Sequence, residues 1–368
     1  MKKLLFSPFF FLSLFLFSFD LNFNYNYGYF YFYKINYFSS HDLVVDVENS
    51  NDFLKFFAQF DARIYQGDAR YEIPYPDIDF SMIGVMPKYI YLSNQYRFTQ
   101  LYLSLFKEGV NLKIGKFPVK WGISEIYSPL DIFYFSSPFD LITLKEFPSN
   151  FLFSFSKKDF TLSLVYQDNQ DFFSSKEGVS FEYLNQFFNS RIFISRYSQV
   201  RKNLLSTDSV ENFIFGFSSL TEYFGPALWN EFVVIKSNDL YKFYLQPGWD
   251  YTFFEKLYIN QEFYINFKGL KKPYSDINII NKYLNKDFLM GRYYMFLTSV
   301  FNVKEKINIS LNSILNLDDR SFIGVLNLSY NPLSNLISSI SLVQTFGETK
   351  DEFYKMPTVF LFQIGTKF

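Results

Sequence analysis

The last twelve residues, 357–368, constrain the fold more than any other segment. Thr358, Phe360, Phe362, Ile364, Thr366 and Phe368 fall on one side of an extended backbone, and Val359, Leu361, Gln363, Gly365 and Lys367 on the other. Successive side chains of a strand point to opposite faces, so this stretch reads as a strand with one apolar, largely aromatic face. Roughly ten residues of such alternation is also the length at which a strand crosses a bilayer, with alternate residues facing lipid and lumen. A strand of a soluble sandwich alternates too, so the segment alone leaves both architectures open.

The pattern recurs upstream. In 257–267, Leu257, Ile259, Phe263, Ile265 and Phe267 alternate with Tyr258, Asn260, Glu262, Tyr264 and Asn266, and 53–65, 110–117 and 307–316 read the same way. Polar turns such as Lys107-Glu108-Gly109 and Lys157-Lys158-Asp159 separate many of the segments. Segmentation predicts strands over 20–32, 53–65, 82–92, 96–106, 110–117, 149–156, 160–167, 178–185, 190–197, 211–219, 227–236, 240–253, 257–267, 291–302, 307–316, 321–330, 336–346 and 357–368, eighteen in all. An even number of antiparallel strands suits a bacterial barrel. With both termini at one end, short turns collect at that end and long connections (33–52, 118–148, 168–177, 198–210, 268–290) at the other. One connection, 66–81, is long but falls on the short-turn side, and a strand pair missed or added there changes the count to 16 or 20. The prediction is an all-β chain forming a single transmembrane antiparallel barrel over 19–368, with a soluble sandwich or solenoid as the competing architecture. A sandwich exposing this many Phe and Tyr side chains would present large apolar patches to water.

Composition removes other classes. The chain has 52 Phe, 30 Tyr, 3 Trp, one His and no Cys. An AT-rich genome would favour such a bias by itself, so pattern must carry the argument. Without Cys there is no disulfide framework, thiol catalysis or iron–sulfur cluster, and one His excludes His-rich metal sites and argues against the usual triads and His-based acid/base pairs. Lys+Arg 35 against Asp+Glu 36, with no basic run, argues against nucleic acid as a partner. No phosphate-binding or dinucleotide fingerprint is present, so neither cofactor nor enzyme activity is expected. His41 lies in the polar stretch Ser39-Ser40-His41-Asp42, which this segmentation makes an external surface loop. Residues 1–18 read as a cleaved secretory signal peptide. Lys2 and Lys3 precede an apolar run from Leu4 to Phe19, too short to span a bilayer comfortably. Ser18 is the only small residue well placed for cleavage, and an N-terminal anchor is the competing reading.

The segment 110–140 is the most distinctive. Strand 110–117 ends in Lys116-Phe117-Pro118, followed by Val119-Lys120-Trp121-Gly122, Ser128-Pro129-Leu130-Asp131 and Ser137-Pro138-Phe139-Asp140. This succession, a strand with Gly-Lys, then Trp-Gly, Pro-Leu-Asp and a later Pro-x-Asp, resembles a family of Gram-negative porin-like outer-membrane barrels. The terminal strand ending in Phe368 likewise resembles the assembly signature of outer-membrane barrels. The motif covers about 30 residues, and the chain is poorer in Gly and Arg than many such porins. The resemblance implies that Lys113, Lys116, Lys120, Trp121, Asp131 and Asp140 line or constrict a channel, and strand alternation adds Arg63 to that inner set. It also implies outer-membrane lipid and small solutes as partners, with a homotrimer as one possible assembly.

Independently, 118–148 is too long and too aromatic for a simple connection or a disordered one. It packs either inside the lumen or as a cap on the rim. Polar strand faces put Lys55, Arg63, Lys113, Lys242 and Arg292 inward against Asp61, Glu182 and Glu262, which predicts a mild anion preference. Inward Tyr244, Tyr258 and Tyr264 are candidates for a sugar-stacking track. The expected function is passive diffusion of small hydrophilic solutes. The alternatives are a non-conducting surface scaffold or adhesin, or a gated channel for apolar substrates such as fatty acids.

Overall fold

The structure, a computed structural model, describes residues 20–32, 36–72, 89–134, 147–168, 175–202, 207–222, 225–238, 240–272, 274, 289–304, 306–348, 351–353 and 358–367. The predicted signal peptide lies outside them. Twenty strands form: β1 (Asp20–Phe32), β2 (Asn36–Ser50), β3 (Leu54–Gly67), β4 (Arg70–Glu72), β5 (Tyr89–Tyr91), β6 (Gln95–Lys107), β7 (Val110–Lys116), β8 (Ser149–Lys157), β9 (Phe160–Asp168), β10 (Lys176–Leu184), β11 (Phe188–Lys202), β12 (Thr207–Glu222), β13 (Ala227–Ser237), β14 (Leu240–Phe253), β15 (Leu257–Asn266), β16 (Tyr293–Lys304), β17 (Ile307–Asn316), β18 (Phe322–Leu333), β19 (Leu336–Phe346) and β20 (Val359–Lys367). Eighteen of these make one antiparallel sheet, and β4 with β5 makes a separate ribbon. The large sheet is closed, because β1 pairs with β2 on one side and with β20 on the other. Closure leaves that sheet without an unpaired edge strand.

Alternation decides which side of each strand faces out. On β12, Phe213 and Phe215 are 48% and 45% exposed, whereas Asn212, Ile214 and Ser218 between and beyond them are buried. The terminal strand follows the register read from sequence, with Phe360, Phe362 and Ile364 exposed and Val359 and Leu361 buried. The outer surface is thus a belt of Phe, Leu, Ile and Tyr, and the inner surface is mixed.

The short turns also follow from sequence. Lys107 pairs with Val110 across a two-residue turn, with Glu108 at φ 47° and Gly109 at φ 85°. Two left-handed residues make the turn whose twist matches the flanking strands. At Gly109 a Cβ would lie 2.2 Å from the Ser156 carbonyl oxygen, so only glycine fits.

Two predicted elements are corrected. The segment 33–52 is not an external loop, since 36–50 forms β2, paired residue by residue with β1 and β3. Its alternation is disguised by Val44 beside Val45 and by the Ser39–Asp42 run. Conversely, the described part of 82–92 supplies no wall strand. Tyr89–Tyr91 pairs with Arg70–Glu72, β3 pairs directly with β6, and the remainder of 82–92 lies outside the described residues. The two errors cancel in the count of eighteen. They also remove the anomaly at 66–81, because the connection between β3 and β6 now falls at the long-loop end and the short 51–53 at the other.

His41 is therefore a strand residue rather than a loop residue. It lies opposite Tyr27 on the outward side and accepts or shares a hydrogen bond with the Tyr25 hydroxyl at 2.7 Å.

Candidate functional site: a loop docked on the inner wall

The connection after β7 leaves the sheet and packs against its inner face. Pro118 has no N–H to continue a ladder, and residues 117–134 run without regular secondary structure. Trp121, Ile126, Leu130 and Phe133 are nevertheless 4%, 3%, 0% and 2% exposed. Trp121 packs on Phe133 and Phe193, with ring centres 4.7 and 5.0 Å apart. Leu130 and Phe133 share a cluster with Val165 (β9), Phe193 (β11), Ile214 (β12) and Val233 (β13). Each of these wall residues is on the buried side of its strand, so the loop lies within the barrel and is not a cap on its rim.

Glycines make room for it. A Cβ at Gly178 (β10) would lie 2.6 Å from the Trp121 ring, and one at Gly216 (β12) would lie 2.1 Å from Phe193 and 2.9 Å from Leu130. At Gly248 (β14) it would meet the Trp229 indole at 2.4 Å. The inner wall is hollowed on three alternate strands where bulky side chains seat.

Irregular backbone needs polar partners that a ladder does not supply, and the wall provides them. Glu231 (β13), fully buried, accepts the N–H groups of Ile123 and of Ser124 (3.0 Å) and the Ser128 hydroxyl (2.5 Å). Glu262 (β15), also fully buried, accepts the Glu125 N–H at 2.8 Å. Gln246 (β14) donates to the Tyr127 carbonyl (2.7 Å) and to Glu262 (2.6 Å). Arg191 (β11) donates to the Trp121 carbonyl at 3.0 Å and also pairs with Glu182 at 2.8 Å. Lys176 (β10) donates to the Ile132 carbonyl. On the lumen side, Glu125 accepts from the Tyr258 hydroxyl at 2.6 Å.

The predicted site residues separate into three groups. Trp121 and Asp131 belong to the docked loop as parts of its internal structure. The Asp131 carboxylate accepts the Trp121 and Gly122 N–H groups at 2.9 and 2.8 Å. Burial pushes its pKa up, opposed by those N–H groups and by nearby Lys120 and Arg191. Lys120 is exposed on the same loop. Lys113 and Arg63 are on the inner wall, Lys113 at the base of the loop against Phe117 and Arg63 on β3. The Lys113 ammonium lies 3.6 Å from the centre of the Tyr102 ring and 4.3 Å from that of Phe117. Arg63 is held by both carboxylate oxygens of Asp42, at 2.7 and 2.8 Å. Lys116 is not brought to either group, because its register opposite Leu101 puts it on the outward side with Ile114. Asp140 lies outside the described residues.

The charge count from sequence also changes. Lys55 is paired with Glu48 at 2.7 Å and Arg292 with Asp318 at 3.1 Å. Asp42, Asp46 and Glu48 all come from β2, which the sequence reading left in a loop, so the inward excess of cations no longer stands as a simple tally. The tyrosine track is interrupted as well, since Tyr127 of the loop packs on Tyr264 with ring centres 5.3 Å apart and the planes at 87°. Sequence reasoning missed Glu231. Its row on β13 reads Ala227, Trp229, Glu231, Val233, and a lone carboxylate in an apolar inward row signals a donor arriving from elsewhere.

No family model matches the sequence, and neither does any curated protein. Solved structures do match in fold. OprD of Pseudomonas aeruginosa superposes with a TM-score of 0.60 at 9% identity, over 95% of each chain. OccK3 (OpdO) of the same organism gives 0.57 at 11% identity, again over 95% of each. The outer membrane protein OpdK of that organism gives 0.57 at 7%, over 95% of this chain and 99% of the other. At such identities the likeness concerns the barrel, and the Gly-Lys, Trp-Gly and Pro-Leu-Asp motif is not tested by it.

Proposed function

We propose that the protein is a transmembrane channel of a bacterial outer membrane, through which small hydrophilic solutes diffuse passively. The observation that carries the reading is the docked loop. A closed barrel of this strand number encloses more space than its own side chains fill, and here a loop built into the wall occupies part of it. The outer belt of exposed Phe, Leu and Ile suits lipid and would be costly in water. The solved barrels of the same fold include an outer membrane protein, which supports that location.

On this reading short turns face the periplasm and long connections the exterior. Trp121 and Asp131 shape the constriction, Lys120 and Glu125 present charge from the loop, Lys113 contributes from the wall at the base of the loop, and Arg63 contributes from β3. Lys113, seated on aromatic rings, keeps a mild anion preference within the proposal. Lipid and solutes are the partners, no cofactor takes part, no reaction is catalysed, and a homotrimer is the assembly proposed by analogy. Asp140 and Lys116 carry no part of the argument.

The test is liposome swelling with neutral sugars of increasing size, using refolded protein. Uptake of a monosaccharide with exclusion of larger sugars supports the reading. Folded barrels that admit none of them overturn it.

A further inference from the structure

Three consecutive amides of the docked loop, those of Ile123, Ser124 and Glu125, donate to the wall rather than to backbone. The acceptors are two fully buried carboxylates on β13 and β15. Glu231 takes two of the amides and the Ser128 hydroxyl, and Glu262 takes the third while Gln246 ties it to the Tyr127 carbonyl. A buried N–H that loses its acceptor carries the full desolvation penalty. The apolar contacts of Trp121, Leu130 and Phe133 hold the two ends of the segment against β9–β13. The stretch 123–128 between them reaches β15 through these carboxylates, the Glu125–Tyr258 bond and the Tyr127–Tyr264 contact, and Ile126 packs in the cluster that holds Tyr264.

We propose that Glu231 and Glu262 are the positioning residues that set the size limit of the channel. They touch no solute. They fix how closely 123–128 lies against β13–β15, and so how much of the lumen the loop leaves free. This rests on the channel reading above. It adds that the limit is set by a two-point latch in the wall and not by the loop's bulk alone.

The experiment compares wild type with Glu231→Ala, Glu262→Ala, the double variant, and the conservative Glu231→Gln and Glu262→Gln, all as the full chain in liposomes. The readout is the uptake ratio of a neutral trisaccharide to a monosaccharide, with heat-modifiable electrophoretic mobility reporting that the barrel is folded. Each amide left without an acceptor should raise the undocked fraction by roughly tenfold. The uptake ratio should therefore rise in the alanine variants, most in the double variant. The glutamine variants, which keep a carbonyl oxygen for the amides, should return most of the way to wild type.

An unchanged ratio in a folded double-alanine variant overturns the proposal. A wild-type barrel that passes neither sugar overturns the channel reading and the size-limit role with it. In that case hydrogen exchange of peptides spanning 121–128 still reports on the latch: faster exchange in the double-alanine variant shows that it exists, and equal exchange removes it.

Discussion

Two stretches of the same sheet are finished differently. Under the docked loop, β10–β15 present glycines, large apolar side chains and carboxylates satisfied by backbone N–H groups. On β2 and β3 the inner face presents carboxylates satisfied by cationic side chains, Asp42 with Arg63 and Glu48 with Lys55. Alternation is the same in both. The difference shows that the inner face of a barrel is not one environment. Where chain covers it, it is built like a protein core, with large apolar side chains packed together and the arriving backbone N–H groups accepted by wall carboxylates. On the bare wall, Asp42 and Glu48 are balanced by cationic side chains instead.

The comparison can be broken most severely at the loop's anchor. Trp121→Ala removes the ring that fills the hollow above Gly178. Large-to-small changes of this kind cost about 3–5 kcal/mol. The loop should undock, read as new protease cleavage between 117 and 134 in an otherwise intact barrel. Next comes Gly216→Val, which forces a side chain into the Phe193 and Leu130 rings and methyls. Overpacking costs about 1–3 kcal/mol, so exchange across 126–134 should quicken without cleavage of the strands.

On the other wall, Asp42→Asn and Arg63→Gln singly and together form a double-mutant cycle. A coupling of about 0.5–3 kcal/mol in barrel stability is expected, with no change in exchange of the loop. A loop that responds to this pair as strongly as to Trp121→Ala would erase the distinction between the two regions. The smallest effect belongs to His41→Phe on the outward side. Losing one hydrogen bond from Tyr25 costs about 1 kcal/mol, and sugar uptake should not move.

Much of the barrel was legible because period-2 patterning is a local signal. The terminal strand and the Glu108-Gly109 turn follow directly from residue order. What failed was local too. In β2 an outward His41 and Ser39 and the adjacent Val44 and Val45 blur the alternation, so a strand reads as a loop. Tyr89–Tyr91 reads as part of a wall strand because a short ribbon separate from the main sheet is extended in the same way.

The site was legible only in outline. The length and aromatic content of 118–148 marked it as a packed segment, and Trp121 and Asp131 are in the dock. The residues that receive it are far away in sequence. The Ser128–Glu231 bond joins positions 103 apart, and the Glu125–Glu262 bond joins positions 137 apart. No spacing rule connects such residues, and an isolated glutamate in a strand looks the same whether it faces water or a loop. Gly178 and Gly216 were opaque for the same reason, since the side chains that need their space belong to other elements.

The central claim is that a loop docked on the inner wall narrows an open channel. Single-channel conductance in a planar bilayer tests it most directly, comparing wild type with a variant whose residues 120–134 are replaced by a short Gly-Ser linker. Stable steps in the wild type, larger in the variant, are the predicted result. Equal steps in the two, or a folded wild type that passes no current, would contradict the account.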